Sequence, residues 1–307
     1  MKVAFAGTPP FAATILSGLL ASDHEVGLVI SQPDRRRGRG RRTTPTAVSS
    51  LARSEGLPLA QPARIGEVAT EISSHGALIV AAFGQILRPD TLHAAPHGAW
   101  NVHASLLPKY RGAAPIERAI MEGERETGIT IMRMDEGLDT GPIALQRPTE
   151  IPPDMTGGEL TERLAHIGAN AIVEALALLD QGRLTVSEQD SLNATYASKL
   201  LDEDKTIRWE GGVRGVHDLV RALAPGTGAR AFHEAIEGPV KIWRARVADE
   251  SAAGAPPGAI STPDGRICVR CEVGVLEVLE LQAPGGRRME ARDFLLGHQL
   301  EGAFLRR

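Results

Sequence analysis

Apolar positions along the first 190 or so residues switch repeatedly between two periods. Lys2–Ala6 and Val26–Ile30 are short apolar runs of strand length. Between them Phe11, Ile15, Leu16, Leu19 and Leu20 recur at the spacing of a helix with one buried face. The exchange continues with predicted helices around Thr46–Ser54 and Ile65–Ser74, a strand at Ala77–Ala82, a helix near Pro89–Ala94 and a strand at Ala99–His103. A helix then runs to Gly123, and strands follow at Gly128–Met134 and around Ile143–Ile151. Thr156–Gly182 reads as a long amphipathic helix with Leu160, Leu164, Ile167, Ala171, Ala175 and Leu178 on one face. Strands alternating with helices predict an α/β domain, a Rossmann-like parallel sheet covered by helices, whose ligands sit at the carboxyl ends of the strands.

Gln189–Thr206 is polar and holds no sustained apolar period, which predicts a linker. Beyond it the period changes. After one helix, Val213–Leu223, come β-like runs at Arg230–Ile236, Val240–Val247, Ala259–Ser261, Ile267–Cys271 and Val275–Gln282. The turn signals Glu237-Gly238-Pro239, Pro263-Asp264-Gly265 and Pro284-Gly285-Gly286 separate them. So many strands in so short a stretch predict a small β-barrel, OB-like in type. The expected organisation is a domain over 1–188, a linker over 189–206 and a barrel domain over 207–307.

Composition narrows the class. The N-terminal residues lack the pattern of a signal peptide, and no apolar stretch is long enough to span a membrane. Two cysteines, Cys268 and Cys271, make no disulfide framework, so a reduced cytoplasmic protein without membrane attachment is expected; a monomer is expected as well, though no sequence feature fixes the oligomeric state. The net charge of −4 gives no global attraction to nucleic acid, but residues 35 to 42 hold six arginines: Arg35, Arg36, Arg37, Arg39, Arg41 and Arg42. Any polyanion contact is therefore local. Over 206–307 basic and acidic residues nearly balance.

Candidate chemistry concentrates at two places. Asn101 and His103 end a predicted strand at positions i and i+2, so they share a face at its carboxyl edge. An apolar segment closed by Pro108 follows and suits the wall of a flat ligand site. The second place is Met134-Asp-Glu-Gly-Leu-Asp-Thr-Gly-Pro142, a glycine-bounded acidic loop able to bring Asp139 to His103 and fix its tautomer. A calcium loop is excluded because the later bidentate Glu is missing; an Asx turn is the plain alternative. Gly7-Thr-Pro-Pro10 is not a dinucleotide fingerprint, and Gly38-Arg-Gly40 is not a phosphate loop. Cys268 and Cys271 stand as two strand cysteines, and no metal-ligand cluster is visible. His24, His75, His93, His97 and His298 read as surface or capping residues.

The run Asn101-Val-His-Ala-Ser-Leu-Leu-Pro-Lys-Tyr-Arg-Gly-Ala-Ala-Pro-Ile116, with Thr127-Gly-Ile-Thr-Ile-Met-Arg-Met-Asp-Glu-Gly-Leu-Asp-Thr-Gly141, resembles the signature of the formyltetrahydrofolate-dependent formyltransferases. Phe5-Ala-Gly-Thr-Pro9, Gln32-Pro-Asp-Arg35 with its basic loop, and Gly211–Leu223 entering a barrel resemble the branch that acts on methionyl initiator tRNA. The likeness covers nearly the whole chain. It implies a formyltransferase domain and a tRNA-binding barrel, 10-formyltetrahydrofolate as co-substrate, and no metal. Asn101, His103 and Asp139 match the catalytic trio. Ser105, Leu106, Leu107 and Pro108 match one folate-binding segment, and Phe83, Gly84, Gln85, Ile86 and Leu87 the opposite wall. The six arginines match the insertion that meets the tRNA acceptor stem. Family members often carry an acidic residue in place of Pro10, and an aromatic, Pro-rich segment in place of Ala224-Pro-Gly-Thr-Gly228. The physics of the trio fits: Asn101 can donate to a developing oxyanion, His103 can donate or shuttle a proton, and Asp139 either orients His103 or takes the amine proton through water. The rivals are formyl transfer to a small amine, hydrolysis of the same cofactor, and a non-catalytic nucleic-acid-binding protein.

Overall fold

A computed structural model describes residues 1–37, 42–298 and 300–305. In chain order the elements are β1 (Lys2–Gly7), α1 (Pro10–Leu20), β2 (Glu25–Ile30), β3 (Arg35–Arg37), β4 (Arg42–Thr44), α2 (Ala47–Ser54), β5 (Leu59–Ala60), α3 (Ala69–Ser73), β6 (Ala77–Ala81), α4 (Pro89–Leu92), β7 (Ala99–His103), β8 (Arg111–Gly112) and α5 (Pro115–Met121). Then come β9 (Glu126–Arg133), β10 (Ile143–Glu150), α6 (Gly157–Asp180), β11 (Tyr196–Ala197), α7 (Val213–Leu223), β12 (Ala229–His233), β13 (Ile236–Asp249), β14 (Ile260–Ser261), β15 (Ile267–Arg270), β16 (Val275–Gln282), β17 (Met289–Glu290) and α8 (Ala291–Gly297). They form two compact units: Met1–Pro115 with Glu126–Glu150 and Thr161–Ala197, and Ile116–Arg125 with Ile151–Leu160 and Ser198–Arg307. The two short segments that belong with the second unit are marked by no change of composition.

The first unit is built on a seven-stranded sheet of order β10-β9-β7-β6-β1-β2-β5. The five strands from β7 to β5 are parallel, as the alternation of elements predicts, while at one edge β9 pairs antiparallel with both β7 and β10. Such an antiparallel edge on a largely parallel sheet is common. β6 and, after Lys2, β1 are buried on both faces, which is why they read as apolar runs, and β7 is equally buried although it carries Asn101 and His103. α1 starts at Pro10, whose missing N–H costs nothing in a first turn, and buries Phe11, Ile15, Leu16 and Leu19. Each such side chain contributes about 1.5–3 kcal/mol by leaving water. A Cβ at Gly168 of α6 would stand 2.9 Å from the Val102 side chain, so this glycine lets the long helix lie directly on the strand that carries Asn101 and His103.

The second unit holds an antiparallel sheet of order β12-β13-β16-β15-β14, with β17 on β16. Bridges from Phe304 to His233 and from Ala303 to Ala259 join its two edges, so the sheet curls into the expected small barrel. The apolar face of α7, with Val213, Val216, Val220 and Leu223, belongs to its core, where Trp209 stacks on Phe304 at 5.5 Å. Both cysteines are buried, Cys271 in this core, and burial pushes its thiol up to about 11, which keeps it inert near neutral pH. Of the two readings for His75, surface or capping, the structure takes the second: the ring is buried, with Nδ1 on the Glu71 carbonyl in the last turn of α3. Among the described residues no helix is long and apolar enough to cross a membrane.

Candidate active site

β7 ends at His103, and all five of its residues are buried. Its neighbour β9 pairs Asn101 with Met132 and His103 with Thr130. The chain then turns through Asp135–Gly141 before β10, and the turn brings a carboxylate back over β7. The amide Nδ2 of Asn101 donates to Asp139 Oδ1 at 3.4 Å. Asp139 Oδ2 accepts the Gly112 N–H at 2.8 Å and lies 3.7 Å from His103 Nδ1. The structure therefore brings Asn101, His103 and Asp139 together around one carboxylate.

The tautomer of His103 is set elsewhere than expected. Its Nε2 is 3.0 Å from the Tyr110 carbonyl oxygen, which can only accept, so Nε2 carries the proton. In the neutral ring Nδ1 is then an unprotonated acceptor facing the Asp139 carboxylate. At 3.7 Å this is too long for a direct hydrogen bond, and the gap is a place for a proton. Tyr110 and Asp139 both adopt left-handed backbone angles, φ +62 and +53, which ordinary residues hold only when their surroundings fix them. Gly112, at φ +121, is required for space as well: a Cβ there would stand 2.7 Å from the Ala197 carbonyl oxygen.

The apolar segment after His103 is secured from below. Thr130 Oγ1 donates to the Ser105 carbonyl (2.7 Å) and accepts the Leu107 N–H (3.1 Å), and Gln146 Nε2 donates to the Leu107 carbonyl (2.8 Å). The Ser105 hydroxyl, fully buried, donates to the Lys109 carbonyl at 2.6 Å. Leu107 is buried, while Leu106 and Pro108 are half-buried. In the segment Phe83–Leu87 the two ends are pinned in the core and Gly84 and Ile86 are exposed, Ile86 by 92%. Gln85 is tied down through the Ile65 N–H and the Ala63 carbonyl.

Of the arginine run, Arg35, Arg36 and Arg37 pair as β3 with Thr44, Thr43 and Arg42 of β4 in a hairpin that sequence patterning does not reveal. Arg39 and Arg41 lie outside the described residues. Asp34 stands at the neck of this hairpin. It accepts from Gln61 Nε2 (2.7 Å), Arg53 Nη2 (2.9 Å), Ser49 Oγ (3.0 Å) and the Thr46 N–H (3.3 Å), tying the residue before β3 to one just after β4. Burial alone would raise this carboxyl, but the four donors outweigh it and hold it below the ordinary range. A depressed folded-state value means stabilisation that is present above the unfolded value and lost as pH falls through the folded one. Asp34→Asn is therefore expected to lower stability at pH 7 by about 1–2 kcal/mol. Thermal unfolding along a pH series should show the gap closing below about pH 4; a gap independent of pH would refute the assignment.

Comparisons with known proteins place the chain in a family. A formyl transferase family profile matches residues 1–176, and a formyl transferase C-terminal domain profile matches 199–299. The chain is 63% identical over 306 residues to the methionyl-tRNA formyltransferase of Rubrobacter xylanophilus, covering 100% of both chains. It is 45% identical over 307 residues to that of Nitrosospira multiformis, covering 98% of this chain and 97% of the relative. Among solved structures, an N-formyltransferase from Helicobacter canadensis in complex with folinic acid and dTDP-3-aminofucose superposes with a TM-score of 0.69 at 17% identity, over 94% of this chain and 100% of that one. HypX from Aquifex aeolicus in complex with tetrahydrofolic acid gives 0.68 at 16% identity, over 100% of this chain and 51% of that one. The fold is shared with these two, and the match along both units makes the chain a member of the formyl transferase family.

Proposed function

We propose that this enzyme transfers the formyl group of 10-formyltetrahydrofolate to the α-amino group of methionyl initiator tRNA, in the cytoplasm, for translation initiation. The observation that carries the choice of acceptor is 63% identity along the full chain to a relative named for that substrate. An α-amine with an ordinary pKa of about 8 is largely protonated at neutral pH, so a proton must leave before nitrogen attacks the formyl carbon. Attack forms the new C–N bond and an oxyanion. Asn101 Nδ2 is the donor for that oxygen, a role worth about 10²–10³ in rate. The amine proton passes to the gap between His103 Nδ1 and Asp139 Oδ2, directly or through a water, and the imidazolium so formed faces a carboxylate. Collapse breaks the bond from the formyl carbon to folate N10, which takes a proton back. The folate is read between the Ser105–Pro108 segment and the wall Phe83–Leu87, and the hairpin arginines meet the acceptor stem.

The test is formyl transfer from 10-formyltetrahydrofolate to charged initiator tRNA, with charged elongator methionine tRNA as control. Formylation of the initiator with at least tenfold preference is expected. Release of free formate, or transfer to an amino sugar in preference to tRNA, would replace this function with one of its rivals.

A further inference from the structure

Gln189 lies 50 residues beyond Asp139, in the polar stretch after α6, and nothing in the sequence marks it. Its amide is nonetheless engaged on every side within the first unit. Nε2 donates to the Asp139 carbonyl at 2.8 Å and to the Gly141 carbonyl at 2.7 Å, spanning the end of the turn that presents the Asp139 carboxylate. Oε1 accepts from Nε and Nη2 of Arg111 at 3.1 and 2.7 Å. The Nε2 partners are both acceptors and the Oε1 partners both donors, so the orientation of the amide is unambiguous.

Arg111 is buried and sits between the two backbone groups that set the site. The Tyr110 carbonyl, before it, accepts the hydrogen bond from His103 Nε2–H, and the Gly112 N–H, after it, donates to Asp139 Oδ2. Asp139, Gly112, Arg111 and Gln189 thus form a closed ring of contacts. It joins the turn that carries the carboxylate to the segment that orients the imidazole. Asp139 holds φ +53, a conformation that needs such support.

We propose that Gln189 is a positioning residue for the transfer step: by tying the Asp139 turn to Arg111 it fixes the carboxylate against His103 and Asn101. The inference rests on the assignment of Asp139 to that step. Only a side chain with two donors on one atom and an acceptor on the other serves all four partners. Glutamate would hold Arg111 more strongly, yet it would set a carboxylate oxygen against two carbonyl oxygens and release the turn.

The experiment compares Gln189→Glu with Gln189→Met, an apolar side chain of similar length, in the full chain. It reads kcat, KM for both substrates and Tm. Both variants are expected to lose about 10- to 100-fold in kcat while each KM stays within about threefold, because a small misplacement near the reacting atoms costs rate more than binding. Gln189→Glu keeps the Arg111 contact that Gln189→Met loses, so its Tm should stay above that of Gln189→Met while both lose rate, and activity and stability part. A merely structural role predicts that kcat follows Tm, and wild-type turnover in either variant overturns the proposal. Asp139→Asn is measured alongside. If it is active, the reading of the site has failed; if it is inactive while Gln189→Glu turns over normally, only the positioning role has failed.

Discussion

Asp139→Asn is expected to lower kcat by about 10²–10⁴-fold, the range for losing a positioned acid–base group. The KM values for tRNA and folate should move only a few-fold. The substitution keeps the volume of the side chain and removes its charge. In the native site one carboxylate accepts from Asn101 Nδ2 and the Gly112 N–H and faces His103 Nδ1. An amide supplies one acceptor oxygen for those donors and offers no charge to an imidazolium. His103→Ala should cost about as much, since it removes the other side of the same gap. The double variant distinguishes a shared proton path from two separate contributions. Groups acting as a unit give a double loss close to either single loss, whereas independent groups multiply. Multiplied losses, or near-normal turnover in either single variant with the fold intact by circular dichroism, would remove the assignment.

Replacing all six arginines of the 35–42 run with serine is expected to reduce kcat/KM for charged tRNA by about 10²–10³-fold at low salt, with folate affinity unchanged. Phosphate contacts act by releasing counterions, so each one lost flattens the plot of log affinity against log salt concentration by about 0.7–0.9. The effect should accordingly shrink as salt rises. Net charge is −4, so the run is a local positive field on a chain that otherwise repels a polyanion. Stability should change little, because Asp34, Thr46 and Gln61, which hold the hairpin neck, are left in place. An unchanged salt slope would move the tRNA contact to another part of the chain.

The strand Ala99–His103 and the helix Val213–Leu223 have the bounds that the pattern of apolar residues predicts. The helix shows one apolar face at helical spacing and is followed by Pro225, while the strand is short and precedes the segment closed by Pro108. The paired residues at 35–37 and 42–44 escape such a reading because arginine has no strand period to display. β8 and β11 are two residues each, shorter than any period, and exist through their pairing with one another. Asn101 and His103 were legible as neighbours because strand geometry alone puts them on one face. Asp139 needed a tertiary turn: the glycine-bounded acidic loop made it a candidate partner for His103, and the motif resemblance pointed to the same residue. Gln189 was not legible at all: its partners are two carbonyls and a guanidinium, and they adjoin only after the sheet has formed.

The carbonyl of residue 110 and the N–H of residue 112 have a consequence for how this site can vary by descent. Every residue type carries the first group and all but proline carry the second, so no ordinary replacement deletes the chemistry that orients His103 or steadies Asp139. What heritable change can alter is the torsion that aims them, φ +62 at one position and +121 at the other. Selection at these two places therefore acts on shape. A substitution survey that scores residues by their functional groups would pass over half of the machinery around the carboxylate.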